Sequence, residues 1–287
     1  MRKNRWERRH LVETFVKFFM MASFVVVAAA LGLILWTVIA RGLPSLTWSM
    51  ITQTPKGGYY MGKEGGVLNA IIGSLYLATG ATILALIFGL PIALHLNTYL
   101  GNSSWGEYVR LSLDVLWGIP SIVYGAFGFA LMLSLGMRAS LLAGIIVLAL
   151  LELPVMVRAM DEVIRLMPKE LEQAAFALGS TKFEVAVRVV TRQMLPGIVT
   201  AVLLAFGRGI GDAAVVLFTA GYTDRITTSL MRPTASLPLA VFFQLATPYK
   251  EVQERGYASA LILTIIVLII SLGSRWISGR LNRYTVK

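Results

Sequence analysis

No cysteine occurs among the 287 residues, which excludes disulfides and thiolate metal sites. Histidine is nearly absent too: His10 and His95 are far apart in the chain and too few to build a metal centre by themselves. Negative charge is also scarce, with 15 Asp and Glu against 26 Lys and Arg and a formal net charge of +11. Such a balance suits nucleic acid, but these cations flank long apolar runs, where anionic lipid attracts them. No Ser-His-Asp set, metal cluster or dinucleotide fingerprint appears. The nearest approach to a phosphate loop, Gly57 to Glu64, reads G-x-x-x-x-G-K but ends on Glu. Without the Mg²⁺-binding hydroxyl, a preceding strand or a following soluble helix, it reads as a flexible outer loop. These absences argue against an enzyme.

What is abundant is apolar surface. A hydrophobic content of 56% and a mean hydropathy of +0.72 exceed what one soluble domain can hide, so the chain reads as an integral membrane protein of all-α class. A hydrocarbon core of about 30 Å calls for about 20 apolar residues per helix. Six runs meet that length: Phe18–Ala40, Leu68–Leu96, Leu111–Leu135, Ala139–Val157, Pro196–Ala220 and Tyr257–Trp276. Leu237–Leu245 is too short to cross. The first run is about 23 residues, beyond the 7–15 of a cleaved signal, and reads as a retained anchor. Basic residues crowd ahead of the first run, between Arg165 and Arg192, and from Arg275 onward. Retention of cations on the inner side places both termini in the cytoplasm. The organisation is then a basic tail, first helix and outer loop (1–66), a five-helix core (67–278) with a water-facing segment at 165–195, and a basic tail (279–287).

Within the apolar runs, a few charged residues are candidates for function. Arg208 lies twelve residues past Pro196, about 18 Å along the fifth run. A guanidinium at that depth costs about 2.5–3.5 kcal/mol, so it is expected to face a polar cavity or a partner charge. Asp212, at i+4 on a continuous helix, is the expected partner, and Gly207, Gly209 and Gly211 beside them allow close backbone approach. In one reading the pair only locks helices together. In the other, Arg208 lines an anion path, because its planar fork of donors matches an oxyanion. Arg158, near the inner end of the fourth run, reads either as a second station or as a snorkelling interfacial residue. Glu152 has no compensating neighbour in sequence and is expected to pair across helices with Arg208 or Arg158. Asp114 and Tyr124 flank the Gly118-Ile119-Pro120-Ser121 break and fit either path lining or a capped kink; His95 reads as an interfacial residue.

Between the fourth and fifth runs the pattern turns amphipathic. Leu171, Ala174, Ala175 and Leu178 fall at i, i+3, i+4 and i+7, with Pro168 suited to the first turn and Gly179 to the end. Thr181 with Glu184 three residues on predicts a capping box opening a second short helix. A helix pair of this kind facing water suits a soluble partner.

These residues resemble the coupling loop of the inner-membrane permeases of binding-protein-dependent ABC importers, whose motif is EAA-x-x-x-G. Here it reads Gln173-Ala174-Ala175-x-x-x-Gly179, with Glu172 beside the Gln that replaces the motif's Glu, and a Leu-Pro at Leu195-Pro196. More narrowly, LTWSMITQTP (46–55), GGVLNAIIGSLYL (65–77), GIPSIVYG (118–125), LPVMVR (153–158) and RGIGDAAVVLFTAG (208–221) are similar to PstA-type permeases of phosphate-specific importers. The resemblance implies a six-helix, type I, MetI-like permease that pairs with a PstC-type permease, two PstB-type ATPases and an external PstS-type phosphate-binding protein. It implies ATP and Mg²⁺ on the ATPase, no cofactor on this chain, and residence in a prokaryotic inner membrane. It also implies phosphate passage past Arg158 and Arg208, and ATPase coupling through Glu172, Gln173, Ala174, Ala175 and Gly179. Asp212 stands where the family usually has Glu. A permease for another oxyanion, sulfate or molybdate, and a self-sufficient secondary carrier are the alternatives; no internal repeat supports the carrier.

Overall fold

A computed structural model describes residues 2–56, 64–101 and 103–281. The P-loop-like stretch, apart from Glu64, lies outside the described residues. With no proline before Pro44, the first helix α1 (Arg2–Gly42) runs 41 residues, about 60 Å, and stops where Pro44 enters a 3₁₀ turn. A short helix α2 (Trp48–Thr52) and a two-strand ladder of β1 (Pro55–Lys56) and β2 (Glu64–Gly65) follow. Next come α3 (Leu68–His95), α4 (Ser104–Gly118), α5 (Ser121–Ser134) and α6 (Leu141–Arg165). Beyond them lie α7 (Lys169–Ala177), α8 (Lys182–Glu184), α9 (Thr191–Gln193) and α10 (Leu195–Ile210). The remainder is α11 (Ala214–Thr219), α12 (Leu237–Leu245) and α13 (Lys250–Leu281). Single π-helical turns extend α3 through Leu96–Leu100 and join α8 to α9 through Val185–Val190.

Among the described residues, α1, α3, α6 and α13 are long and apolar enough to cross a membrane singly. Two bent helix pairs bring the number of crossings to six if each is one broken span. The expected third span is not one rod, because α4 and α5 meet at 95° across Ile119-Pro120, where proline removes a backbone donor and restricts the preceding residue. The segment 182–193 and α10 meet at 76° just before Pro196. The expected fifth span, Pro196–Ala220, is likewise interrupted. Its helix ends at Ile210 and resumes at Ala214, with Gly211 between.

α6 is the centre of the bundle, with α3, α4, α5, α10 and α11 around it. The approach of α3 depends on small residues at helical spacing. Ala78, Ala81, Ala85, Gly89 and Ala93 are all buried, and they admit Leu148, Met156 and Val157 of α6. In lipid, where the hydrophobic effect gives helices little reason to associate, such backbone proximity and dispersion hold them together. α1, by contrast, is exposed along its apolar length and packs on α13 at its Gly42 end, where Arg41 donates to the Tyr257 hydroxyl at 3.1 Å. It brackets the bundle.

Candidate functional site

Arg208 occupies the last turn of α10, half-buried, where the unpaired carbonyls of the helix end favour a cation. Its field acts on the phenol of Tyr124 on α5, and among the described residues it makes neither a hydrogen bond nor an ion pair. The expected i+4 pairing with Asp212 is not realised, because it presupposes a continuous helix. The chain instead turns at Gly211, with Asp212 N–H donating to the Gly209 carbonyl at 3.2 Å. Asp212 Oδ1 then accepts from Val215 N at 2.8 Å and caps α11. Arginine and aspartate therefore sit at the favourable poles of two half-helices. Tyr124 is held by its own hydroxyl, which donates to the Leu116 carbonyl at 2.9 Å across the α4–α5 bend.

Glu152 is fully buried in α6. Thr82 of α3 donates to Oε2 at 2.8 Å, Oε1 has no partner, and the side chain lies directly against Gly209 of α10. The expected pairing with Arg208 or Arg158 is absent among the described residues. Arg158 spends its donors elsewhere, on Asp114, on Asp161 at 2.9 Å and on Glu162 at 3.8 Å.

Sequence reasoning missed the hub of that cluster. Asp161 is fully buried and binds Arg110 of α4 through both oxygens, at 2.9 and 3.1 Å. It also accepts from Asn97 at 2.9 Å, and Arg165 approaches to 3.6 Å. Arg110 is buried and further donates to the carbonyls of Gly101 and Leu96. The spacing of Arg158, Asp161 and Arg165 at i, i+3 and i+7 on one helix face was the available signal. Asn97, Arg110 and Arg165 line a cleft of about 440 Å³ together with Lys169 and Glu172 of α7.

α7 ends as its sequence predicts. Gly179 adopts φ +86°, Gly179 N–H donates to Phe176 and Ser180 N–H to Ala175, the paired closure of a Schellman motif. The Thr181–Glu184 capping box is formed on both sides. Hydrogen bonds from the Thr181 backbone and hydroxyl hold the Glu184 carboxyl below the usual carboxylate range. The apolar stripe divides. Leu171 and Ala175 pack inward, while Leu178 is 88% exposed beside Phe176 and Phe183, and Gln173, Ala174 and Gly179 face outward. Glu172 is half-buried.

Residues 85–286 match the model of the binding-protein-dependent transport system inner membrane component family. The chain is similar to the phosphate transport system permease protein PstA 1 of Mycobacterium tuberculosis, 38% identical over 96% of this chain and 91% of that protein. It is also similar to PstA of Xylella fastidiosa, 36% identical over 83% of each. In fold it resembles the inward-facing MetNI methionine ABC transporter, at 18% identity and a TM-score of 0.62 over 75% of this chain and 95% of that one.

Proposed function

From the premise that the chain belongs to the family of binding-protein-dependent transport system inner membrane components, we propose that it is the permease subunit of an ATP-driven phosphate importer. As a member of that family it is a multi-pass membrane subunit that works with an ATPase and a substrate-binding protein. The finer reading is a half-pore paired with a PstC-type permease, served by two PstB-type ATPases and a PstS-type phosphate-binding protein. The setting is a prokaryotic inner membrane with both chain termini in the cytoplasm.

One observation carries the role of the site: half-buried Arg208 stands at a helix break with no carboxylate bound to its donors among the described residues. A planar guanidinium of that kind offers two parallel N–H bonds to a phosphate oxyanion. Asp212, tied into the α11 cap, stands beside the path without quenching it. Arg158 is the second cation of the path. The cluster of Asp114, Asp161 and Glu162 holds it in this arrangement and yields it when α4 moves. The outward residues Gln173, Ala174 and Gly179, with exposed Phe176 and Leu178 and with Glu172 and Ala175 behind them, form the ATPase docking face. Motion of α7 then reaches the Asp161 cluster through the short turn of residues 166–168 that joins it to α6.

The test is Arg208→Gln in the complete importer, assayed by labelled-phosphate uptake into vesicles. Uptake is expected to vanish while the complex still assembles. Wild-type uptake would remove Arg208 from the path. Competition by sulfate and molybdate in the same assay separates phosphate from the other oxyanions.

A further inference from the structure

Two groups with complementary unmet needs lie near one another: Glu152 of α6 rests on Gly209 of α10, the residue that follows Arg208. Glu152 Oε1 is an acceptor with no donor, in a side chain that is fully buried. It rests on Gly209, and the next residue toward the N-terminus is Arg208, whose guanidinium has neither a hydrogen bond nor an ion pair among the described residues. Consecutive Cα atoms are about 3.8 Å apart, and a four-bond arginine side chain spans more than that by rotamer change alone. A buried acceptor without a donor is costly, and a guanidinium is the donor that would relieve it most.

The backbone around the pair permits such a turn. No atom crowds a Cβ placed on Gly207, α10 ends two residues past Arg208, and Gly211 breaks the helix before α11 begins. Asp212 is a weaker competitor for the arginine because Oδ1 already holds the α11 cap. Thr82 keeps Glu152 pointed at the α10 notch by its 2.8 Å bond to Oε2.

We propose that Glu152 is the positioning residue that takes Arg208 over when the anion departs, so that Arg208 alternates between an oxyanion in the path and the Glu152 carboxyl in the wall. This rests on Arg208 being the anion station. The structure holds the receptive arrangement, with the arginine donors free of any partner among the described residues. Turning onto Glu152 neutralises the cation, expels the anion and opposes its return. The arginine exchanges one set of acceptor oxygens for another.

The experiment uses the complete importer with its ATPase and binding protein in vesicles, comparing wild type with Glu152→Gln, Glu152→Asp and Arg208→Gln. Glu152→Gln keeps the size of the side chain and its bond to Thr82 but offers no charge. It is expected to slow phosphate uptake at least about tenfold, the loss of one charge-assisted pair. It should also leave labelled phosphate bound to the complex after one ATP turnover, whereas wild type retains none. Glu152→Asp should recover part of the rate, and it serves as the charged reference if the Gln variant assembles poorly. A role confined to packing predicts slower uptake without retained phosphate, and that result overturns the proposal. So does a Glu152→Gln importer with wild-type rate and no retention while Arg208→Gln is dead, an outcome that leaves the Arg208 reading intact. Wild-type uptake by Arg208→Gln sinks both.

Discussion

Replacing Asp161 with Asn tests whether the Asp161 cluster holds α3, α4 and α6 together. Asp161 is fully buried and compensates Arg110, whose side chain is 8% exposed, through bonds of 2.9 and 3.1 Å. The amide keeps the shape but turns an NH₂ group toward donors, so it leaves Arg110 as a buried, unneutralised cation and loses part of the hold on Arg158 and Asn97. Breaking one side of a buried pair costs about 3–5 kcal/mol, most of it the penalty on the stranded partner. Asp114→Asn removes another partner of Arg158, but the Asp114 side chain is 45% exposed, and solvent screens such a pair to about 0–1 kcal/mol. Denaturant titration of the purified importer, followed by circular dichroism, should therefore separate the two variants by about 3 kcal/mol, with Asp161→Asn the weaker. The double variant Arg110→Met with Asp161→Leu removes both charges and should recover most of the loss. An Asp161→Asn importer that unfolds within about 1 kcal/mol of Asp114→Asn, or an apolar double variant no better than the single one, would refute the neutralising role of Asp161.

Gly179→Asp meets no steric obstacle but places a side chain at φ +86°, a left-handed conformation that costs a non-glycine residue about 1–2 kcal/mol. The importer should assemble and hydrolyse ATP without responding to loaded binding protein, and coupled uptake at the wild-type rate would take the docking role away from this turn. The capping box has a pH signature. The folded Glu184 carboxyl sits below its unfolded value, so its contribution is present above the ordinary glutamate range and disappears as pH falls through the lowered one. Proteolysis at the turn between α7 and α8 should therefore accelerate on acidification in wild type. Thr181→Ala should cleave rapidly even at neutral pH, and equal cleavage of the two chains at neutral pH would contradict the cap.

Much was legible from local pattern. Apolar runs of the right length placed α1, α3, α6 and α13, since in lipid only a helix satisfies its own backbone. Gly179 as helix terminator and the Thr181–Glu184 box were read from residue type and spacing, because a cap is built within a few residues of chain. The EAA-like loop pointed to the family for the same reason: its signal is contiguous. Arg208 stood out because charge in an apolar run is rare whatever surrounds it.

What failed were the pairings that depend on how helices break and meet. Asp212 left the face of Arg208 because Gly211 ends α10, and Glu152 found Thr82 and Gly209 in place of an arginine. Arg110 went to Asp161, 51 residues away, a choice set by which side chains share a buried volume and invisible to spacing along one helix. Sequence by itself determined that this chain lives in a membrane, where four of its long apolar helices lie, and that it bears a guanidinium in oil. Those follow from the partition of short segments between water and lipid. Only the tertiary structure decided which charges neutralise one another and which arginine keeps its donors open, because pairing inside a low-dielectric bundle depends on distances between helices.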